Sequence, residues 1–394
     1  MNQQIAREIA LYDRYDTDSE KWDGLSAVFG ERNLLPLWVA DMDFRSPRPV
    51  REALKTAAEN GVFGYYIPPK SYGESFIRWE KERHGYVVKE DWVRTADSVV
   101  SGIHQLIFAL TGEGDGIMTL TPVYRPLFGA IEKTGRTPVI SELSEENGLY
   151  RLNFDDMERK IATNHVKMLI FCSPHNPVGR VWRKEELARI VEICKNHNMI
   201  IVSDEIHQDI VAKDQRHIPL ATVGNYSQRV ITVTSASKTF NLAGLKNAFL
   251  IIEDPLFRQK HKAFCEKIGL HEGNTFGYLA VTEAYNKGEP WLHTVLAIIE
   301  RNYALLQEAL LPFPNIILSP LEGTYLAWLD LKKVVSPENL RSFVQKEAGL
   351  AVSYGNWFFQ EGREDTHIRL NLAAPTETVE KALAKLTAAL AKNT

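Results

Sequence analysis

Short apolar runs recur along this chain, and a polar segment follows each of them at once. The clearest runs are residues 116–120, 168–172, 199–202 and 230–233. Between about residue 49 and residue 288 such runs alternate with helical patterns, as the strands and helices of a doubly wound sheet do. Open α/β sheets bind ligands at the carboxyl ends of their strands. The sequence therefore predicts an α/β fold whose mainly parallel sheet brings the polar segments together at one edge.

The polar segment after the last of these runs contains Lys238, flanked by Ser235 and Ser237. A lysine just beyond a buried strand suits a Schiff base beside a phosphate group, because hydroxyl and backbone N–H groups can hold the phosphate while the amine reaches an aldehyde. A surface lysine in a polar loop is the alternative interpretation. The segment by itself favours neither.

The other three polar segments suit the same kind of cofactor. Asp204 follows a buried strand, where a carboxylate is costly unless it meets a cation such as a pyridinium nitrogen. Asn176 stands in an Asn-Pro-x-Gly turn and is a neutral donor suited to a ring phenolate oxygen. Tyr124 provides an aromatic ring that could stack on a flat cofactor. Together these residues favour a pyridoxal-phosphate site.

With these segments the chain resembles the fold-type I pyridoxal-phosphate enzymes of the class I/II aminotransferase superfamily. It resembles more closely the branch of cystathionine β-lyases and related C–S lyases, the MalY/PatB type. The resemblance rests on six groups of residues in the order typical of the family: 38–44, 63–65, 79 with 83–85, 172–180, 203–207 and 237–244. It implies pyridoxal 5′-phosphate as the cofactor and a homodimer as the assembly.

The resemblance also implies roles for five side chains around the cofactor ring. Lys238 would form the Schiff base and take the Cα proton of the substrate, and Asp204 would pair with the pyridine nitrogen. Asn176 would face the ring hydroxyl, and Tyr124 would stack on the ring. His207 stands where aminotransferases usually carry a tyrosine that bonds the ring oxygen. Lys238, Asp204 and Tyr124 form the predicted catalytic group.

Contacts to the phosphate and to the substrate are implied in the same way. The phosphate would be held by the backbone N–H groups of Gly102 and Ile103 and by the side chains of Ser235, Ser237 and Lys246. Arg369 would clamp the substrate α-carboxylate with a bidentate fork, and Asp41 would line the substrate site. Tyr65 would reach this site from the neighbouring subunit, with the adjacent Tyr66 as the alternative.

Two positions depart from the aminotransferase pattern. His207 replaces the usual tyrosine, and Lys246 replaces an arginine. Both changes match the C–S lyase branch and argue against ordinary transamination. We therefore predict a C–S β-lyase that cleaves L-cystathionine or cysteine S-conjugates to a thiol such as homocysteine, pyruvate and ammonia. An aminotransferase with the same cofactor residues is the alternative, and a regulatory protein that acts by binding a partner is a third hypothesis.

The hydrophobic pattern divides the chain into three parts. Residues 1–48 form an irregular arm assigned to part of the small domain, and residues 49–288 form a large cofactor-binding domain. Apolar residues at helical spacing between Leu292 and Leu310 mark a long linking helix, so that residues 289–394 comprise this helix and a small C-terminal α+β domain. Three aromatic residues of that domain could be core or could wall the substrate pocket: Trp357, Phe358 and Phe359.

Composition argues against several other classes of protein. The net charge of −4 and the dispersed charges give no nucleic-acid footprint. Three scattered cysteines suit neither a disulfide framework nor a zinc site, and no metal is predicted. Residues 1–15 lack the apolar core of a signal peptide, and no stretch reaches the apolar length of a membrane span. We expect a cytoplasmic enzyme that acts on a small amino acid, without membrane or nucleic-acid partners.

Overall fold

The computed structural model describes residues 12–270 and 273–393. Its strands in chain order are β1 (Leu35–Pro36), β2 (Val93–Ala96), β3 (Gly116–Thr121), β4 (Thr137–Glu142), β5 (Ser144–Glu146), β6 (Leu149–Arg151), β7 (Val166–Cys172), β8 (Ile200–Asp204), β9 (Val230–Thr234), β10 (Ala248–Ile252), β11 (Ile317–Leu318), β12 (Leu326–Asp330), β13 (Leu350–Ala351), β14 (Ser353–Tyr354) and β15 (His367–Asn371). The four apolar runs of the sequence become β3, β7, β8 and β9, so the pattern located each of these strands.

A mixed seven-stranded sheet in the order β2-β10-β9-β8-β7-β3-β4 forms the centre of the molecule. Neighbouring strands from β9 to β4 in this order pair parallel, whereas β10 pairs antiparallel with both β9 and β2. Every residue of β3, β8, β9 and β10 is buried. Strands covered on both faces are continuous apolar runs rather than alternating ones. This sheet confirms the predicted α/β fold class.

Helices cover both faces of the central sheet. In chain order the helices are α1 (Glu20–Asp23), α2 (Leu25–Phe29), α3 (Arg48–Asn60), α4 (Lys70–Trp79), α5 (Val99–Leu110), α6 (Arg125–Lys133), α7 (Phe154–Thr163), α8 (Lys184–Asn196), α9 (Ala236–Thr239), α10 (Pro255–Lys267), α11 (Thr275–Lys287), α12 (Glu289–Leu310), α13 (Pro337–Ser342) and α14 (Thr376–Asn393). The apolar residues of α5, α6 and α10 form one core, and those of α3, α4, α7, α8 and α11 contribute to another. The sheet separates these two cores, as in a doubly wound fold.

A second sheet of four strands, in the order β11-β12-β15-β14, follows the long helix α12. Apolar residues of the N-terminal arm, among them Leu25, Phe29 and Trp38, belong to the same core as this sheet and α14. In addition β1 pairs parallel with β13. Further along the arm, Met42 and Phe44 pack into the core of the central sheet. The arm therefore crosses from one sheet to the other, past the carboxyl edge of the central strands. Within the described residues no helix is long and apolar enough to cross a membrane.

Candidate active site

A cavity opens at the carboxyl edge of the central sheet and has two connected parts. The inner chamber, of about 160 Å³, is lined by Asp97, Ser98, Val99, Val100, Cys172, Asn176, Asp204, Ile206, His207, Ser237 and Asn247. The outer cavity, of about 780 Å³, extends between the arm and the second sheet and is lined by Arg14, residues 17–20, Trp38, Val39, Asp41, Arg125, Pro126, Gly244, Lys246, Ser353, Trp357, Phe358 and Arg369. Four residues line both parts: Ala40, Tyr124, Lys238 and Ala243. The polar segments that follow the strands thus meet in one place.

Lys238 lies on the one-turn helix α9, directly after β9, between the inner chamber and the outer cavity. Its Nζ donates a hydrogen bond to the carbonyl of Ala40 at 2.6 Å. Burial lowers the pKa of Lys238 to about 8, a fall that the nearby carboxylate of Asp41 opposes and the guanidinium of Arg369 reinforces. A substantial neutral fraction therefore exists slightly above neutral pH, as a nucleophile or a general base requires.

Asp204 is a buried carboxylate without a cationic partner among the described residues. Its one hydrogen bond comes from the N–H of Ile206 at 3.2 Å, and burial raises the pKa of Asp204 to about 7. The adjacent Glu205 differs, because Ser203, His217 and the N–H of Leu220 all bond to its carboxylate. A buried acid that the fold leaves unpaired in a cavity fits a cationic ring nitrogen, which would hold it ionised.

Arg369 is a buried guanidinium that faces the outer cavity. Its Nη1 donates to Oδ1 of Asn176 at 3.0 Å, and its Nη2 donates to the carbonyl of Trp38 at 2.8 Å and to Ser353 Oγ at 3.0 Å. Its Nε has no partner, and none of the carboxylates that the structure describes pairs with it. Burial lowers the pKa of Arg369 to about 10, still far above neutrality. A buried cation whose acceptors are all neutral has the charge and geometry that suit a small carboxylate.

Asn176, His207 and Tyr124 surround the inner chamber. Asn176 accepts from Arg369, and no described residue accepts a hydrogen bond from its side-chain nitrogen. Burial keeps the pKa of His207 well below its usual range, so the ring is neutral, and its Nδ1 has no partner. The ring of Tyr124 remains partly exposed at the boundary between the two parts of the cavity. These positions are compatible with contacts to a flat aromatic ring.

The predicted phosphate contacts of Gly102 and Ile103 are wrong. The N–H of Gly102 donates to the carbonyl of Ser98 at 2.9 Å, and Ile103 lies one residue deeper in α5 with no exposed surface. The helix begins one turn earlier, at Val99, with Ser98 as its N-cap. Val99 and Val100 line the inner chamber and carry the first two N–H groups of the helix, which have no intrahelical acceptor. They are the backbone donors that suit an anion.

Ser235 is also placed differently from the prediction. It is buried behind the chamber, where its hydroxyl group donates to the carbonyl of Asn247 at 2.7 Å and accepts from the N–H of Ser237 at 3.0 Å. It therefore caps α9 and does not line the cavity, whereas Ser237 and Lys246 do. Asn247, which the sequence did not single out, lines the chamber with a buried side-chain nitrogen that has no partner.

The arm contributes residues to the site that spacing alone did not reveal. Asp41 lines the outer cavity and forms an ion pair with Arg14 at 2.6 Å. Lys21 is fully buried and pairs with Asp43 at 2.6 Å. Arg14 and Lys21 carried no recognisable signal, since their partners lie more than twenty residues away. The two pairs join the beginning of the arm to the segment around Asp41 and Asp43.

Tyr65 is another predicted site residue that does not line the cavity of its own chain. It is fully exposed within residues 61–69, a segment without regular secondary structure that also exposes Val62, Phe63 and Ile67. The neighbouring Tyr66 is exposed as well, and neither tyrosine lines the inner chamber or the outer cavity. Among the described residues, no cluster of three or more His, Cys, Asp or Glu side chains could hold a metal ion.

Comparisons with known proteins agree with this geometry. The model of the aminotransferase class I and II family matches residues 32–386. The chain is 34% identical to cystathionine beta-lyase PatB of Bacillus subtilis, over 96% of this chain and 98% of that protein. The structure of cystalysin from Treponema denticola, which contains a pyridoxal 5′-phosphate cofactor, is similar at a TM-score of 0.93 and 31% identity, over 98% of each chain. A PLP-bound C–S lyase from Staphylococcus hominis gives a TM-score of 0.90 at 32% identity, over 97% of each chain. The chain belongs to the aminotransferase class I and II family.

Proposed function

We propose that this protein is a pyridoxal-phosphate-dependent C–S β-lyase that cleaves L-cystathionine or another cysteine S-conjugate to a thiol, pyruvate and ammonia. One observation carries the proposal: a half-buried lysine lines one cavity together with a buried aspartate and a buried arginine that have no ionic partner among the described residues. Relatives that are similar over nearly their whole length are named cystathionine β-lyases and C–S lyases. Family membership alone leaves lyase and aminotransferase open, so the choice between them requires a further argument.

The inner chamber has the donors and charges that pyridoxal phosphate requires. Lys238 would bind its aldehyde carbon, and Asp204 would face its ring nitrogen. The remaining contacts would come from Asn176, His207 and Tyr124 around the ring and from Val99, Val100, Ser237, Asn247 and Lys246 at the phosphate. When bound, this cofactor supplies an electron-withdrawing ring that stabilises negative charge at the substrate Cα.

Arg369 and Lys238 would handle the substrate. The guanidinium would bind the α-carboxylate and so fix the orientation of the Cα–H bond relative to Nζ of Lys238. The Nζ of Lys238, neutral in a substantial fraction because of its low pKa, would take the Cα proton. Loss of the thiolate from Cβ then leaves a three-carbon fragment that water converts to pyruvate and ammonia.

Two residues favour elimination over transamination. Aminotransferases usually have a tyrosine at position 207, whose hydroxyl bonds the ring oxygen, whereas this chain has a neutral buried histidine. Aminotransferases also usually have an arginine at the position of Lys246, near the phosphate. A lysine there keeps the charge but lacks the planar guanidinium. The test is a series of cysteine S-conjugates that differ in the leaving group, with thiol and pyruvate measured together. Equal amounts of both products support a lyase, and product formation that requires an added 2-keto acid contradicts it.

We further propose a homodimer in which Tyr65 completes the site of the partner. The support is the exposed apolar segment 61–69, because exposed apolar surface of this kind usually marks an interface. A two-fold dimer would make such an interface isologous. The cytoplasmic location and the three-part domain division stay predictions from the sequence.

Mixing two inactive chains tests the contribution of Tyr65. We expect Tyr65→Ala and Lys238→Ala dimers to be poorly active or inactive, and their mixture to regain about one quarter of wild-type activity after subunit exchange. The reason is that half of the dimers would be hybrids, each with one intact site. Tyr66→Ala mixed with Lys238→Ala is the matched control. No gain from the Tyr65 mixture, or an active monomer in sedimentation, would rule out the crossing tyrosine.

A further inference from the structure

A buried carboxylate outside the cavity has hydrogen bonds with three side chains and an ion pair with a fourth. Oδ1 of Asp209 accepts from Trp79 Nε1 at 3.0 Å, contacts His84 Nε2 at 3.0 Å and pairs with Arg83 Nε at 2.8 Å. Oδ2 of Asp209 accepts from Thr239 Oγ1 at 2.7 Å. The two carboxylate oxygens thus face different parts of the fold. Oδ1 faces the end of α4 and the residues after it, and Oδ2 faces α9.

The two ends of this network lie next to residues of the cavity. Thr239 follows Lys238 directly in α9, and Asp209 follows His207 by two residues. The bond between Thr239 and Asp209 therefore joins the turn that carries Lys238 to the segment that carries Asp204 and His207. Trp79, Arg83 and His84 belong to one of the six groups of residues on which the family resemblance rests. They do not line the cavity, and they have no part in the proposed chemistry. In the structure all three contact the same carboxylate.

The surroundings keep Asp209 ionised. Burial alone would raise the pKa of Asp209, but the hydrogen bond from His84 and the charge of Arg83 hold it at about 2. Burial and the charge of Asp209 raise the pKa of the neighbouring Glu80 well above its usual range. A charged acceptor makes the bond from the Thr239 hydroxyl stronger than a bond between neutral groups.

Helix α9 needs such a bond, because it has only four residues. One turn of helix is not stable by itself, so contacts with the rest of the fold must determine its rotation. Ser235 caps its first turn, and Asp209 holds its last residue. The direction of the Lys238 side chain depends on that rotation.

We propose that Asp209 is a positioning residue for Lys238, which it orients through the hydroxyl of Thr239. The inference rests on the proposed role of Lys238 and adds to it a specific requirement for the hydroxyl at position 239. Because Trp79, Arg83 and His84 all contact Oδ1, loss of one of them leaves Asp209 with two partners on that side and with its bond to Thr239.

The test compares three variants in protein loaded with pyridoxal phosphate. Thr239→Val removes the hydroxyl at nearly constant volume, and Thr239→Ser retains it. Trp79→Phe is the matched control, since it removes a hydrogen bond from the same carboxylate on the side away from Lys238. Each variant is measured for kcat, for KM, for the rate at which borohydride fixes cofactor on Lys238, and for the unfolding temperature. Thr239→Ala provides a second hydroxyl-free variant in case Thr239→Val does not fold.

We expect Thr239→Val to lower kcat by about 10- to 100-fold with little change in KM, because a small misplacement of a reacting group has effects of this size. Borohydride fixation should slow as well. Thr239→Ser should restore both to within about threefold, and Trp79→Phe should lower the unfolding temperature without these losses. If Thr239→Val and Trp79→Phe affect kcat and fixation alike, Asp209 is merely structural and the inference is wrong. If borohydride fixes no cofactor on wild-type protein, the proposed role of Lys238 itself fails.

Discussion

Replacing Lys238 with alanine is expected to lower the rate of pyruvate formation by more than about 10³-fold, since the chain loses the amine that binds the cofactor and takes the Cα proton. The rest of the inner chamber is unchanged in this variant. Pyridoxal phosphate should therefore still bind, but borohydride should no longer fix it on the protein. Absorbance before and after reduction and dialysis, together with a pyruvate assay, measures both effects.

Lys246→Ala is the matched control for this experiment, because it removes a second lysine from the same cavity. We expect weaker cofactor binding in that variant, with turnover largely recovered at saturating cofactor. The proposed division of roles would be contradicted if Lys238→Ala kept substantial turnover. It would also be contradicted if Lys246→Ala alone prevented borohydride fixation.

Replacing Arg369 with alanine is expected to reduce kcat/KM by about 30- to 5,000-fold. This factor corresponds to a loss of roughly 2–5 kcal/mol of binding free energy, the cost of removing one partner of a buried charge pair. Arg369→Lys should recover only part of this loss, because an ammonium keeps the charge but lacks the planar fork that matches a carboxylate. Initial rates at low substrate concentration give the ratio directly.

A substrate without the carboxylate separates recognition from folding. With the decarboxylated analogue, a cysteamine S-conjugate, wild type and Arg369→Ala should react at similar low rates, since the group that Arg369 binds is gone. If the variant loses the same factor with both substrates, Arg369 stabilises the second sheet and does not recognise the carboxylate.

The sequence identified the residues that stand directly after apolar strands and that the structure brings to one cavity. Lys238, Asp204 and Asn176 each follow a strand that periodicity alone identifies, and the topology of a parallel sheet then brings them together. At these residues the position directly after a strand in the sequence is enough to predict the position at the edge of the sheet. The fold class was predictable for the same reason.

The prediction that Gly102 and Ile103 contact the phosphate was wrong because it placed the start of α5 too late in the chain. Ser98 was the available signal, because serine is a preferred N-cap and it caps α5 here. Using it would have pointed to Val99 and Val100 in place of Gly102 and Ile103. The predicted phosphate contact of Ser235 disagrees with the structure for a different reason. Its bond to Asn247 joins residues twelve positions apart and depends on a loop conformation that the residue pattern does not encode.

The contacts made by the arm could not be predicted from the sequence. The carbonyl of Ala40, which accepts from Lys238, belongs to a residue with no distinctive side chain and lies 198 positions away in the chain. Arginine and lysine are usually surface residues, so the sequence gives no reason to single out Arg14 and Lys21. Only the folded arm brings them to Asp41 and Asp43. Long-range pairing of this kind has no local signature.

The most direct test of the central claim incubates the reconstituted protein with L-cystathionine in the absence of any 2-keto acid. Homocysteine, pyruvate and ammonia should accumulate in equal amounts over many turnovers, and adding a 2-keto acid should not accelerate their release. Lys238→Ala protein in the same buffer gives the background. Turnover that depends strictly on the 2-keto acid and releases no thiol would contradict the account and identify the protein as an aminotransferase.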